Sequence, residues 1–96
     1  MLFRSAAIEE FGARDQIIQV HFRNVDNSLP RFIEVFPDDG YLNMAEIMRA
    51  LYRVGFDGMA VPDHVPRFAD TEAGFMTSEA FILGYIRALM QSTAPA

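Results

Sequence analysis

Two short apolar runs, each leading into a histidine, constrain the fold of this chain more than any other feature. Residues 17–22 are apolar and β-branched on both faces, and residues 58–61 form a second, shorter run. Near-continuous apolar strands of this kind are typical of a buried parallel sheet. Because helical patterns lie before, between and after the two runs, we expect parallel strands joined by a right-handed crossover.

The helix between the two runs has the clearest boundaries. Asn43 is predicted as its N-cap with Glu46 three residues later, and Gly55 is predicted to end it. A stripe of apolar residues at helical spacing marks its buried face: Met44, Ile47, Met48, Leu51 and Val54. An earlier helix is predicted to end over residues 5–11, with Gly12 as its stop.

The last helix is predicted to begin near Thr77 or Ser78. Its apolar stripe consists of Phe81, Ile82, Tyr85, Ile86, Leu89 and Met90. A short extended stretch is predicted over residues 31–36. Turn or loop structure is predicted for residues 26–30, 37–40 and 66–76, which are rich in Pro, Gly, Asn and Asp.

Composition limits the classes of function. The 96 residues predict a single small domain spanning residues 1–96, and the net charge of −5 argues against nucleic acid as a partner. The chain has no cysteine, which excludes a disulfide framework and a thiolate within it. No apolar run approaches the roughly 20 residues that span a bilayer, so we expect a cytoplasmic protein that does not enter a membrane.

Two polar strings follow the predicted strands and hold both histidines of the chain. Residues 21–25 read His-Phe-Arg-Asn-Val, and residues 62–66 read Pro-Asp-His-Val-Pro. In α/β folds the carboxyl ends of parallel strands carry the functional site, so these side chains are candidates for a metal or sugar-acid site.

Structural roles remain open for the same residues. A histidine at a strand end is often only hydrogen-bonded, and Arg23 could pair with Glu34 or Asp26. Adjacent strand residues point to opposite faces, so Asp63 and His64 reach one site only if a turn begins at His64.

Together these stretches resemble the C-terminal segment of D-mannonate dehydratases. The matching stretches are residues 11–12, 20–25, 34–40, 44–58, 62–66 and 84–87. The resemblance implies the last quarter of a metal-dependent TIM barrel that converts D-mannonate to 2-keto-3-deoxy-D-gluconate and water, with Mn²⁺ or a similar divalent ion. By the same resemblance, His21 and Asp63 match metal ligands, His64 matches the catalytic histidine, and Arg23 and Asn24 lie beside the substrate.

The chain also departs from the family pattern. The family's other two metal ligands, a histidine and a cysteine, have no counterpart among these residues. Phe75 stands where the family usually has a tyrosine, and phenylalanine has no hydroxyl for proton transfer. Asn43 replaces a common aspartate, although both residues cap helices. We therefore expect the isolated chain to lack a complete active site.

A pair of strands with two open edges is marginally stable in water, so we expect a homo-oligomer whose copies complete each other's core. Three hypotheses about function remain. The chain is a segment of a mannonate dehydratase; or it is a non-catalytic oligomeric module, with or without a sugar-acid ligand; or, with less support, it is a relative of the sugar-isomerase barrels.

Overall fold

A computed structural model describes residues 2–96 and shows a small α/β unit. Its three helices and four strands follow one another along the chain as α1 (Leu2–Ala13), β1 (Gln19–Phe22), β2 (Asn24–Val25), β3 (Glu34–Val35), α2 (Met44–Arg53), β4 (Met59–Pro62) and α3 (Glu72–Thr93). The predicted α/β class, with two parallel strands and three helices, is confirmed.

The two longer strands form a parallel pair. β1 lies beside β4 with Gln19 opposite Met59 and Phe22 opposite Pro62. Within the part of the chain that the structure describes, each of these strands pairs only with the other, so each keeps one open edge. Only one face of β1 is covered: Phe22 is buried and Val20 partly so, whereas Gln19 and His21 are exposed. The expectation that this strand is buried on both faces is therefore not met within the chain itself.

A short antiparallel hairpin interrupts the path from β1 to α2. β2 and β3 pair with Asn24 opposite Val35 and Val25 opposite Glu34. The backbone N–H of Ile33 also donates to Asp26 Oδ1 at 2.7 Å, which closes the loop between the two strands. The predicted extended stretch at residues 31–36 thus contains β3, but its partner β2 was not expected.

The boundaries of α2 follow from local chemistry, as predicted. The Asn43 side chain accepts a hydrogen bond from the Glu46 backbone N–H at 3.2 Å, which caps the first turn. Beyond Arg53 the chain turns at Gly55, whose φ of +69° lies in the left-handed region that glycine adopts without steric cost.

The core lies where the helices meet the covered face of the sheet. α2 packs against both α1 and α3, and α3 packs against β4. The buried apolar cluster consists of Phe22, Met44, Ile47, Met48, Leu51, Ile82, Ile86 and Leu89. Full burial of an aliphatic or aromatic side chain of this size contributes about 1.5–3 kcal/mol, so this cluster is the main source of stability.

Two helix boundaries differ from prediction. α1 continues through Gly12 to Ala13 rather than stopping there. A Cβ atom on Gly12 would lie 2.5 Å from a methyl carbon of Val54, so this glycine serves the close approach of α1 to the end of α2.

α3 begins at Glu72, five residues before the predicted start at Thr77. The Thr71 hydroxyl accepts from the Gly74 backbone N–H at 2.9 Å and so caps the helix. Ser78 is fully buried inside α3, where its hydroxyl donates to the Gly74 carbonyl and accepts from the Phe68 backbone N–H. Although α3 is 22 residues long, no helix among residues 2–96 combines the length and apolar character needed to cross a membrane.

Candidate functional site

The register of the parallel pair brings the two polar strings together. Because Phe22 lies opposite Pro62, Arg23 and Asp63 leave the sheet at the same level, immediately beyond the ends of neighbouring strands. His21, one position before Phe22 on β1, lies opposite Val61. The predicted meeting of the two strings at the carboxyl edge of the sheet is therefore observed.

Asp63 is the residue to which most of this cluster connects. Its Oδ2 lies 3.5 Å from His21 Nδ1 and 3.7 Å from Arg23 Nη1. Its Oδ1 lies 3.5 Å from His64 Nε2. These distances exceed those of well-formed hydrogen bonds, so the contacts are electrostatic and leave the carboxylate lone pairs available.

His64 reaches the cluster through an unusual backbone conformation. Its φ of +48° lies in the left-handed region, which is uncommon for residues other than glycine. In an extended strand His64 would point away from Asp63, but this conformation bends the chain and leaves the imidazole Nε2 3.5 Å from Asp63 Oδ1. The condition stated from the sequence, a turn at His64, is thus met.

The hairpin adds a second carboxylate. Glu34, on β3, places Oε1 2.8 Å from Arg23 Nη2 and 3.6 Å from His64 Nδ1. Its other oxygen, Oε2, is buried and has no hydrogen-bond partner among the described residues. The pairing of Arg23 with Glu34, which the sequence left open as a structural role, is therefore present, and Glu34 also belongs to the cluster.

The cluster is arranged as a ring in which the two carboxylates alternate with the Arg23 guanidinium and the His64 imidazole. Arg23 faces both carboxylates, His64 faces both carboxylates, and His21 faces Asp63 alone. The carboxylates and the guanidinium are about one-quarter to one-third exposed, at 25% and 30%, whereas both imidazoles are 58% exposed. The fixed charges thus lie at the base of the site and the titratable rings lie toward solvent.

Asn24 lies apart from this ring, with 1% of its surface exposed. Its Nδ2 donates to the carbonyls of Pro37 and Leu42, at 2.9 and 3.0 Å. Its Oδ1 accepts from the backbone N–H groups of Val25 and Leu42, at 2.9 and 3.2 Å. Two donors and two acceptor positions are the full capacity of the amide, so the geometry gives Asn24 a structural role. Its predicted contact with a substrate stays a prediction.

The residues of this cluster do not by themselves make a metal centre. Among residues 2–96, no group of three or more His, Asp or Glu side chains is arranged to hold a metal ion. His21 and Asp63 supply two donors, and a transition metal in a protein commonly takes four or more. The Arg23 guanidinium, 3.7 Å from Asp63, also supplies positive charge beside the same carboxylate.

A cavity of about 490 Å³ adjoins the cluster, which is within the range of small-molecule pockets. Its polar wall includes His21 and Arg23, and its apolar wall includes Ile8, Leu42 and Ile47. Residues of α1, of β1 and of the loop that follows β2 line the cavity, which is partly open to solvent. Space for a small polar ligand therefore exists directly beside the imidazole and the guanidinium.

Phe75, which replaces the family's usual tyrosine, lies in the first turns of α3 rather than in a loop. It is 40% exposed, and the Arg67 guanidinium stacks over its ring at 5.3 Å from the centroid. The side chain offers no group for proton transfer at this position.

Two residues of the site were not singled out from the sequence. The sequence indicates Glu34 only as a possible partner of Arg23, and it gives no role to Gln19, whose Nε2 lies 3.1 Å from His21 Nε2. Period two along β1 was the available signal for Gln19. For Glu34 the only signal was its place in the extended stretch at residues 31–36.

Comparison with known proteins gives a consistent result. The chain matches the family model described as D-mannonate dehydratase over residues 5–95. It is similar to a mannonate dehydratase of Enterococcus faecalis (strain ATCC 700802 / V583), with 40% identity over 92 residues, covering 90% of this chain and 25% of that protein. The chain therefore spans about a quarter of the length of this curated relative.

The fold is also similar to a solved structure. The crystal structure of mannonate dehydratase from Streptococcus suis serotype 2 superposes with a TM-score of 0.65 at 21% identity. The superposition covers 96% of this chain and 30% of that one.

Proposed function

Because the match over residues 5–95 makes this chain a member of the D-mannonate dehydratase family, we propose that it supplies the closing segment of a divalent-metal-dependent dehydratase barrel. The reaction is loss of water from D-mannonate to give 2-keto-3-deoxy-D-gluconate. The observation that carries this proposal is the position of Asp63, whose carboxylate faces His21, Arg23 and His64 at 3.5–3.7 Å.

In this proposal the chain contributes part of the donor set and part of the catalytic set. His21 and Asp63 would be two ligands of a Mn²⁺ or similar ion, with the remaining ligands supplied by the part of the family fold that this chain does not span. A divalent ion of this kind stabilises negative charge on the oxygens of a sugar acid. Since the described residues hold only two such donors, we derive no step through the metal from this chain alone.

The chain's own groups can bind the substrate and move a proton. Dehydration of a sugar acid removes a proton from the carbon beside the carboxylate and releases hydroxide from the next carbon. The His64 imidazole, more than half exposed at the mouth of the cluster, is a group that can accept or donate a proton. Arg23 carries the guanidinium that suits a substrate carboxylate, because its planar N–H groups match the two oxygens.

Two features support completion by further strands. β1 and β4 each have an edge without a strand partner within the described chain, and parallel sheets occur almost only with both faces covered. Ile18, which immediately precedes β1, is 84% exposed, and Met59 in β4 is 67% exposed. These apolar surfaces would be covered if the remaining part of the family fold packed there.

The test is reconstitution. The 96-residue chain is mixed or coexpressed with the part of the Enterococcus faecalis relative that lies outside the match, and formation of the 2-keto acid from D-mannonate is followed with Mn²⁺ present. We expect turnover by the complex and none by either part alone. Asp63→Asn should abolish turnover, whereas Asp57→Asn, an exposed residue in the loop before β4, should leave it unchanged.

Three outcomes would contradict the proposal. Turnover by the isolated chain would show that no further donors are needed. Full activity of the Asp63→Asn complex would remove that residue from the site. A stable complex without turnover would favour the alternative, a non-catalytic module.

The alternative has its own observation and its own measurement. The same exposed apolar residues could be covered by a second copy of this chain, which would make a homo-oligomer that binds a sugar acid without converting it. Light scattering coupled to size-exclusion chromatography measures the oligomeric state. A monomer at micromolar concentration whose NMR spectrum is well dispersed, as that of a folded protein is, would contradict self-association.

A further inference from the structure

Glu34 occupies a position that ordinary stabilisation does not explain. Its Oε1 faces Arg23 Nη2 at 2.8 Å and His64 Nδ1 at 3.6 Å, so one oxygen serves both side chains. Within residues 2–96, it is the only carboxylate besides Asp63 that contacts this pair. Glu34 lies in β3, whereas Arg23 follows β1 and His64 follows β4.

The buried oxygen of Glu34 argues against a purely structural role. Among the described residues Oε2 has no hydrogen-bond partner, and a buried acceptor without a donor destabilises the folded state. A partly exposed ion pair such as Arg23–Glu34 contributes little to stability in return. On stability alone, therefore, a neutral or apolar residue would serve this position at least as well.

We infer that Glu34 is a positioning residue of the site, which holds the Arg23 guanidinium in place and orients the His64 ring. This inference rests on the proposed function, because it assigns Glu34 a part in the same site. The two ring nitrogens of His64 face different carboxylates, Nδ1 toward Glu34 and Nε2 toward Asp63. A ring that faces a carboxylate on each side is restricted in its orientation, in the way that carboxylates orient functional histidines elsewhere.

The hairpin is what gives Glu34 this position. Glu34 pairs with Val25 in the antiparallel register, directly beside the pair formed by Asn24 and Val35. Asn24 in turn is held by four hydrogen bonds to the backbone around it. The Asn24 network therefore anchors the strand that carries the orienting carboxylate, and this connects a buried amide to the geometry of the exposed site.

Side-chain NMR of the full chain, recorded without metal or sugar acid, tests the inference. In the unaltered protein we expect slowly rotating guanidinium N–H signals for Arg23 and a single ordered set of ring signals for His64. Glu34→Gln keeps the shape of the side chain but removes its charge, so the slow Arg23 signals should be lost and the His64 ring signals should shift. The control is Glu46→Gln, which removes the carboxylate that pairs with Arg49 on the surface of α2. It should leave the Arg23 and His64 signals unchanged.

A merely structural role predicts a different result. In that case Glu34→Gln would lower the midpoint of urea unfolding while the Arg23 and His64 signals of the folded protein stayed as they were, and the inference would be wrong. If Glu34→Gln does not fold, Arg23→Gln carries the test. Removing the guanidinium should shift the carboxyl ¹³C signal of Glu34 and leave that of Glu46 in place, and an unmoved Glu34 signal would overturn the inference.

Because these signals are read without turnover, the inference and the proposed function fail separately. An inactive reconstituted complex leaves the NMR result standing. An active complex with unchanged Arg23 and His64 signals in Glu34→Gln would reject the positioning role alone.

Discussion

Gly40 lies so close to Asn24 that a Cβ atom on Gly40 would come within 2.2 Å of the Asn24 side-chain amide carbon. The amide cannot move aside cheaply, because its four hydrogen bonds fix it against Pro37, Leu42 and Val25. The turn before α2 therefore accepts only a residue without a side chain at this position.

We predict that Gly40→Ala lowers the free energy of unfolding by about 1–3 kcal/mol, as overpacking of a filled site does. Urea denaturation followed by circular dichroism measures this change. Gly84→Ala is the matched control, since a Cβ atom there meets nothing within 4 Å and the residue lies inside α3. Gly84→Ala should raise stability by about 0.5–1 kcal/mol, and equal effects of the two substitutions would contradict the crowding at Gly40.

The start of α3 at Glu72 can be tested by removing its cap. Thr71→Ala deletes the hydroxyl that accepts from the Gly74 backbone N–H, and this should cost about 1 kcal/mol of stability. Thr77→Ala removes a hydroxyl that only donates to the Ala73 carbonyl within the helix, and it should change stability by less than about 0.5 kcal/mol. Were the helix to begin near Thr77, the ranking of the two variants would be reversed.

The alkaline stability of the fold should depend on Tyr85. Burial raises the pKa of the Tyr85 hydroxyl above 10.0, and the Asp38 carboxylate raises it further. The unfolded chain therefore loses this proton at a lower pH than the folded chain does. The free energy of unfolding keeps this contribution below the ordinary pKa and loses it as the pH rises through the folded pKa.

Tyr85→Phe should consequently reduce the fall in stability above about pH 10, where an unperturbed tyrosine ionises. Urea denaturation at a series of pH values measures the slope for both proteins. A slope that Tyr85→Phe does not change would show that the alkaline loss arises elsewhere.

The elements that the sequence predicts well are those with strong local signals. α2 is bounded by Asn43, whose side chain caps it, and by Gly55, whose positive φ ends it. Its apolar stripe faces the core, as the helical spacing indicates. Each of these signals acts within a few residues, so no knowledge of distant contacts is needed.

The start of α3 was mispredicted because the decisive contact is not visible in local pattern. The sequence predicts a loop at Gly74, but this residue lies in the helix, where a Cβ atom would come within 2.2 Å of the Ala69 carbonyl oxygen. The glycine permits the preceding turn to fold closely over the first helical residues. The composition of this segment fits both a loop that contains glycine and the first turn of a helix. Only the close packing of Gly74 against Ala69 distinguishes these two structures.

The candidate site likewise includes contacts that the sequence predicts and contacts that it does not. The meeting of His21 with Asp63 follows from strand order, which alternating helices and strands predict. The pairing of Arg23 with Glu34 could be named only as one option beside Asp26, because it depends on two short strands whose pairing has little sequence signal. A turn at His64 could be stated as a condition from the sequence, although its left-handed backbone could not.

The register of β1 against β4 has a consequence for how this segment tolerates insertions and deletions. A shift of one residue in either strand would turn its side chains to the opposite face, and a shift of two would move them by about 6–7 Å. A one-residue shift would also expose Phe22 and turn His21 toward the core, whereas a two-residue shift would keep the covered face and separate Arg23 from Asp63. A two-codon insertion within residues 19–23 should therefore yield a folded protein in which Arg23 and Asp63 are apart, whereas a one-codon insertion there should destabilise the fold. An insertion within the exposed residues 27–31 should leave both the core and the pairing of β1 with β4 in place. Selection on folding would thus exclude shifts by one residue, and selection on chemistry would exclude shifts by two.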